Sequence, residues 1–241
     1  FIDALFGKKL EFSPPPATAN DLIARAVAGG YPEAFPRVPA RRRAWYRSYV
    51  TSLVQRDIRD LAEIEGLREI PNLLALIAAR NAGLLNLASL SSDSALSRPT
   101  VGRYFSLLQA IFLVHTVPAW VRSRKKRIVK SPKVLMTDSG LAAELAGITI
   151  ESAAGQDRAG RLLESFALME LRKEAGICRT RPELYHFRTH AGVEVDGLLE
   201  APDGSIAGVE VKAGATVSAS DFRSLRFLQD SLGDRFRAGV V

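Results

Sequence analysis

The sequence is poor in residues that form disulfides and metal–sulfur sites: it has one cysteine, two methionines and three histidines in 241 residues. The lone Cys178 cannot form a disulfide within the chain, as is usual for proteins kept in a reducing compartment. We therefore expect a cytoplasmic protein. The three histidines, at 115, 186 and 190, are scattered, and no Cys/His cluster has zinc spacing. We expect them to be structural.

Three further features are missing. No apolar run reaches the roughly 18 residues that a bilayer-spanning helix needs, so we expect no membrane association. The first residues, "FIDALFGKKLEF", lack the parts of a signal peptide and an initiator Met, which indicates a fragment or a processed product. No G-x-x-x-x-G-K-[ST] loop is present, so we expect no ATP hydrolysis by this chain alone.

The composition is that of an ordinary globular protein with an excess of basic over acidic residues. Hydrophobic residues make up 47% of the chain, enough for a sizeable core. The formal charge is +7 and the sequence pI about 9.8. This balance favours polyanionic partners such as DNA, although many basic surfaces are only solvated.

The first half of the chain is dominated by helical patterns. Residues 39–64 are predicted to form a long helix, and 84–110 a helix-turn-helix whose second helix is capped near Ser97. Two strand-like segments joined by a basic tip follow, so we interpret the unit as a winged helix. The residues predicted to crowd the tip are Arg122, Arg124, Lys125, Lys126, Arg127, Lys130 and Lys133. With Arg98 and Arg103 of the second helix, the tip residues 122–130 are expected to hold a DNA duplex by its phosphates.

The second half predicts an α/β sheet domain. The segment "GRLLESFALMELRKEAG" has the pattern of an amphipathic helix, and three strands, a helix and a final strand follow. His186 and Arg188 lie in the first of these strands, where an approach to a phosphate is one interpretation and an exposed strand edge the one we expect.

The hairpin "VEVDGLLEAPDGSIAGVEVKAG", residues 193–214, carries acidic side chains in alternation with valine. Alternation predicts one core face and one charged face. The core face would hold Val193, Val195, Val209 and Val211, and the charged face Glu194, Asp196, Glu210 and Lys212.

The loop "APDGS" fixes the expected pairing. It puts Glu200 opposite Ile206, hence Asp196 opposite Glu210 and Glu194 opposite Lys212. Facing carboxylates repel each other, and a hard cation such as Mg²⁺ would remove the conflict. The alternative is a solvated face on which Lys212 simply neutralises Glu194.

With Glu164 of the preceding helix, this order of residues resembles the PD-(D/E)xK nuclease superfamily. Segments such as "GGYPEAFPR", "KSPKVLMTDSGL", "GRLLESFALMEL" and "GVEVKAG" widen the resemblance to almost the whole chain. They are similar to the C-terminal half of a prokaryotic ATP-binding family, in which an AAA-type ATPase module precedes a region called domain of unknown function 4143 (DUF4143).

The resemblance implies the end of an AAA-type ATPase region at 1–38, a helical and winged-helix domain at 39–150, and a restriction-endonuclease-like α/β domain at 151–241. ATP would bind only in the ATPase module missing from this chain. That module would also favour homo-oligomeric assembly of the full-length protein.

The resemblance also implies roles for residues. Asp196 and Glu210 would bind Mg²⁺ or Mn²⁺, and Lys212 would orient the attacking water or stabilise charge on the phosphate. Glu164 would complete the acidic cluster, as a ligand or through water. Three functions stay open: a metal-dependent deoxyribonuclease, a nuclease fold that no longer cuts and serves as a docking module of the ATPase, and a protein-docking surface without nucleic acid.

Overall fold

The computed structural model describes residues 1–7, 17–58, 67–122, 130–153, 157–214 and 216–241. It confirms the predicted fold class, since helices fill the N-terminal part and a four-stranded sheet with flanking helices forms the C-terminal part. In the parts of the chain so described, no helix is both long and apolar enough to cross a bilayer.

The N-terminal part consists of helices and one two-stranded antiparallel sheet. Its elements are α1 (Ile2–Phe6), α2 (Ala19–Ala28), α3 (Pro39–Leu53), α4 (Ile70–Ala79), α5 (Leu87–Ser94), α6 (Arg98–Ala110), β1 (Val114–Val117), β2 (Lys133–Met136), α7 (Ser139–Ala146) and α8 (Ile150–Ala153).

Local sequence explains where several of these helices begin. Thr18 and Asp21 form a capping box at the start of α2. Asn86 caps α5, and Ser97 caps α6 by accepting from the backbone N–H of Thr100. The helix predicted over 39–64 is α-helical only to Leu53 and continues as a π-helical segment, Val54–Ile58; residues 59–66 lie outside the described ranges.

A buried polar network holds α2, α3 and α7 together. The hydroxyl of Tyr46 lies 2.9 Å from Asp138 Oδ1 and 3.0 Å from the carbonyl of Ala28. Asp138 also caps α7 and accepts from the backbone N–H of Gly30 at 2.6 Å. A Cβ at Gly140 would overlap the Tyr46 hydroxyl, so only glycine fits there.

The C-terminal part is a mixed sheet between two helices. Its elements are α9 (Asp157–Ile177), β3 (Glu183–Arg188), β4 (Glu194–Glu200), β5 (Ile206–Val209), α10 (Arg223–Leu232) and β6 (Phe236–Val240). The strand order is β3-β4-β5-β6, antiparallel except for the parallel pair β5–β6.

Two glycines let the helices approach the sheet closely. A Cβ on Gly197 would lie 2.9 Å from Leu168 of α9, and one on Gly208 would lie 2.6 Å from Leu225 of α10. The sheet is therefore covered on both faces, which explains why β5 is buried at every position.

The first 38 residues contribute to two different cores. Ile2 and Leu5 of α1 pack with Leu199 of the sheet, and Glu174 accepts from the backbone N–H of Ile2. Ile23 of α2 packs instead in the helical core. The boundary placed at residue 38 stays a prediction.

Candidate active site

The β4–β5 hairpin has the predicted register. Glu200 pairs with Ile206, and the ladder runs to the pair Gly197–Val209. Asp196 and Glu210 follow one step beyond this pair, where β5 ends. There the side chain of Asp196 accepts from the backbone N–H of Val211 through Oδ2 at 3.0 Å.

The predicted division into a valine face and a charged face is wrong. Val195 packs with Leu198 and Leu225 on the α10 side, whereas Val209 packs with Leu168 on the α9 side. The cause is a shift of register between β3 and β4: Tyr185 pairs with Leu198 but Phe187 pairs with Val195. An extra residue in β4 breaks the strict alternation of side chains.

The predicted Glu194–Lys212 pair does not form either. Lys212 Nζ lies 2.7 Å from Glu210 Oε1, two residues away on the same extended segment. Glu194 instead contacts Arg188 at 3.6 Å and a second lysine at 3.2 Å.

That second lysine is Lys133, which corrects another expectation. Predicted in the exposed basic tip, it begins β2 and is only 2% exposed. Alternation along β2 turns it to the same side as Leu135, which packs with α9 and the large sheet, while Val134 and Met136 face the helical core.

Lys133 Nζ is surrounded by carboxylates. It lies 2.5 Å from Glu164 Oε1, 3.1 Å from Asp196 Oδ1 and 3.2 Å from Glu194 Oε1. Burial acts to lower the pKa of Lys133, but the charges of Glu164 and Asp196 outweigh it and raise the pKa above its ordinary value. The ammonium therefore stays charged and joins the small hairpin to the large sheet.

Two carboxyl groups of this acidic site, those of Glu164 and Glu210, have raised pKa values. Burial raises the pKa of Glu164 to about 7, opposed by Lys133 and reinforced by Asp196. Burial likewise raises the pKa of Glu210, although Lys212 opposes it. A positive charge close to these carboxyl groups would favour their ionised form and so lower both pKa values.

The donor set around Asp196 and Glu210 fits a hard divalent cation bound by two carboxylates. Glu210 is 9% exposed, and its buried Oε2 has no hydrogen-bond partner among the described residues. Mg²⁺ needs only one or two carboxylates when phosphate and water complete its shell. Among the described residues, no group of three or more acidic, His or Cys side chains is placed to hold a metal, and the part predicted for Glu164 stays a prediction.

The predicted DNA-contacting residues are only partly described. Arg98 and Arg103 are exposed on α6, and Arg103 lies over the ring of Tyr104 at 5.5 Å. Arg122 and Lys130 are exposed on either side of the tip. The others, Arg124, Lys125, Lys126 and Arg127, lie outside the described residues.

His186 is the other residue whose environment the sequence did not reveal. Instead of an exposed edge, it is 2% exposed, because the chain after β1 pairs with it: Trp120 N–H donates to its carbonyl at 2.7 Å. Its Nε2 donates to the carbonyl of Ser131 at 3.2 Å, and its buried Nδ1 has no partner in the described part of the chain. Burial lowers its pKa to about 4.

Comparison with protein families divides the chain in two. Residues 19–152 match the model of a domain of unknown function, DUF8612. The chain belongs to the DUF8612 family. Residues 159–241 match a second domain of unknown function, DUF4143, which confirms the predicted resemblance for that part of the chain. The predicted acidic residues and Lys212 lie in the DUF4143 segment, whereas Lys133 lies in the DUF8612 segment.

Two mycobacterial proteins are similar to this chain. They are the uncharacterized protein Rv2008c of Mycobacterium tuberculosis and the uncharacterized protein Mb2031c of Mycobacterium bovis, each 29% identical over 202 residues. The match covers 83% of this chain and 44% of each relative, so the chain spans less than half of their length. No solved structure matches.

Proposed function

We propose that the C-terminal sheet domain is a Mg²⁺- or Mn²⁺-dependent nuclease that hydrolyses DNA phosphodiesters. The observation that carries the proposal is the convergence of Asp196, Glu210 and Lys212 at the end of β5. Asp196 accepts from the backbone between the other two, and Lys212 pairs with Glu210 at 2.7 Å. This is the order and grouping of the PD-(D/E)xK pattern.

In this proposal, two residues hold the metal and a third acts on the phosphate. Asp196 and Glu210 would hold the metal, which when bound polarises the scissile phosphate and lowers the pKa of a water molecule. Lys212, whose side chain is 40% exposed, can reach a phosphate or a water outside the cluster. It would orient the nucleophile and stabilise the charge that develops on the phosphate.

The basic surface of the DUF8612 segment would supply the DNA contacts. Helices α5 and α6 and the β1–β2 hairpin follow one another as in a winged helix, and Arg98, Arg103, Arg122 and Lys130 are exposed on these elements. Contacts to phosphates would position the duplex without specifying its sequence. In the full-length protein, an AAA-type ATPase module would bind ATP and favour homo-oligomers.

Cleavage of labelled DNA tests this proposal. Single-stranded, duplex and branched substrates are incubated with the protein in Mg²⁺, Mn²⁺ or EDTA, beside Lys212→Ala. We expect metal-dependent cutting that Lys212→Ala removes and that Lys173→Ala keeps, since Lys173 is an exposed lysine paired with Glu170 on α9. Equal cutting by Lys212→Ala would mean a contaminating nuclease.

A second function is favoured by one observation, the position of Lys133. Its ammonium already pairs with Glu164 and Asp196, so part of their charge is offset without a metal. A nuclease fold that no longer cuts and docks DNA or a protein for the ATPase would have this property. Salt-sensitive DNA binding with no cutting in any metal would favour the docking module.

A further inference from the structure

The cation found in the acidic cluster comes from the other family segment. Lys133 belongs to residues 19–152, whereas all three of its carboxylate partners belong to residues 159–241. Because its side chain is 2% exposed at the start of β2, the ammonium cannot leave the cluster freely. The strand itself would have to shift.

The ammonium engages an oxygen that a metal would need. Of the oxygens of Asp196 and Glu210, Asp196 Oδ1 accepts from Lys133, Asp196 Oδ2 accepts from Val211, and Glu210 Oε1 accepts from Lys212. Only Glu210 Oε2 has no partner among the described residues. A divalent ion at Asp196 would also lie a few ångströms from a second positive charge, where repulsion in a low-dielectric site is strong.

We propose that Lys133 is a built-in counter-cation that competes with the divalent metal for Asp196, so that metal binding is coupled to the position of the β1–β2 hairpin. This inference rests on the proposed function and names how that same site is regulated. Asp196 and Glu210 would hold the metal fully only where the hairpin keeps the ammonium away from Asp196 Oδ1.

The hairpin also provides the link to DNA. Lys130 is exposed three residues before Lys133, and Arg122 is exposed on the other arm. A polyanion bound to these residues would favour a position of β2 in which Lys133 lies farther from Asp196. Coupling between two binding sites is reciprocal, so DNA would tighten metal binding by the factor by which the metal tightens DNA binding.

Mn²⁺ binding measured by electron paramagnetic resonance, without DNA, tests the competition. We expect Lys133→Met to bind Mn²⁺ at least tenfold more tightly than the wild type. Lys173→Met, which removes one exposed positive charge from α9, should stay within twofold of it. Adding Asp196→Asn to Lys133→Met should remove the gain. Affinity of Lys133→Met equal to or weaker than that of the wild type would overturn the proposal.

A second pair of variants tests the competition if Lys133→Met does not fold. Removing Lys133 leaves buried carboxylates uncompensated, which is destabilising. If circular dichroism shows that Lys133→Met is unfolded, Lys133→Met with Glu164→Gln is compared with Glu164→Gln alone. Tighter Mn²⁺ binding in the double variant supports the competition, and equal binding contradicts it.

Cleavage, measured separately, distinguishes this inference from the proposed function. Tighter Mn²⁺ binding by Lys133→Met with no cutting by any variant would support the competition and contradict the nuclease. Cutting by the wild type with unchanged Mn²⁺ affinity in Lys133→Met would contradict the competition alone. If neither the wild type nor any Lys133 variant binds Mn²⁺ at Asp196, both are wrong.

Discussion

The backbone N–H of Val211 donates to Asp196 Oδ2 at 3.0 Å, which joins the aspartate of β4 to the Glu-x-Lys segment after β5. Val211 is the residue between Glu210 and Lys212, so the bond fixes both relative to Asp196. It forms where the ladder between the two strands has ended at Gly197 and Val209. The acidic site is thus part of how the end of the hairpin is held together.

The first prediction concerns the stability of the Lys133–Glu164 pair. Lys133→Met should lower the free energy of unfolding by about 3–5 kcal/mol, because it leaves buried carboxylates without a positive partner. Adding Glu164→Gln should cost less than the sum of the single changes, since it removes one of them. Urea denaturation of the four proteins measures this coupling.

The matched control is Lys173→Met, which breaks an exposed ion pair with Glu170. It should change the free energy of unfolding by no more than about 0.5 kcal/mol. Additive effects of Lys133→Met and Glu164→Gln would show that the two side chains do not interact in solution.

The second prediction concerns pH. Burial holds the pKa of His186 at about 4, below its ordinary 6.5. Between these pH values the imidazole is protonated in the unfolded state but neutral in the folded state. His186 therefore does not reduce the free energy of unfolding above pH 6.5, and it lowers that free energy as the pH falls from 6.5 to 4. By the size of the shift, the loss amounts to about 3 kcal/mol.

Unfolding followed from pH 7 to pH 4 checks this. Because Glu164 also titrates in this range, the informative quantity is the difference between the wild type and His186→Gln. That difference should change between pH 7 and pH 4, as the buried imidazole takes up its proton. A pH-independent difference for His186→Gln would contradict the burial of an uncharged imidazole.

The third prediction concerns the polar network beneath α7. Asp138→Ala removes the cap of α7 and the acceptor for Gly30 N–H and for the Tyr46 hydroxyl. We expect a loss of about 2–4 kcal/mol, more than a simple helix cap, because buried groups lose their partners. Thermal and urea unfolding measure it. Thr18→Ala, which removes the exposed cap of α2, should cost only about 1 kcal/mol.

The fourth prediction concerns DNA binding. Replacing Arg98 and Arg103 by alanine should weaken binding about equally for unrelated duplex sequences. It should also reduce the slope of log K against log salt by about one for each phosphate that the variant no longer binds. Fluorescence anisotropy at several salt concentrations measures both quantities. Arg47→Ala is the control, since Arg47 is exposed but pairs with Glu144 on α7. An equal weakening by Arg47→Ala would mean that net charge alone governs binding.

Sequence patterns were sufficient for the fold class and the local register. Turn residues such as Asp203 and Gly204, the latter at φ +82°, fix the five-residue loop and so pair Glu200 with Ile206. Caps such as Ser97 mark where helices start, because they act on the next few residues. These features are local, and the sequence specifies them directly.

What the sequence did not reveal depends on contacts between distant segments. Lys133 continues a basic run, so charge alone placed it at the tip, whereas its alternation with Leu135 in β2 turns it inward. That alternation, with Pro132 separating it from the run, is the signal that could have identified it. The extra residue that shifts β3 against β4 leaves no comparable mark around Asp196.

The nuclease proposal is tested most directly by single-turnover DNA cleavage with wild type and Asp196→Asn in Mg²⁺. Asparagine keeps the shape of the side chain and an oxygen for the N–H of Val211 but removes the charge that a metal needs. With DNA occupancy matched by anisotropy, we predict cutting by the wild type and a rate at least about 100-fold lower in Asp196→Asn. Equal rates in the two proteins, or no cutting by either, would contradict a nuclease centred on Asp196.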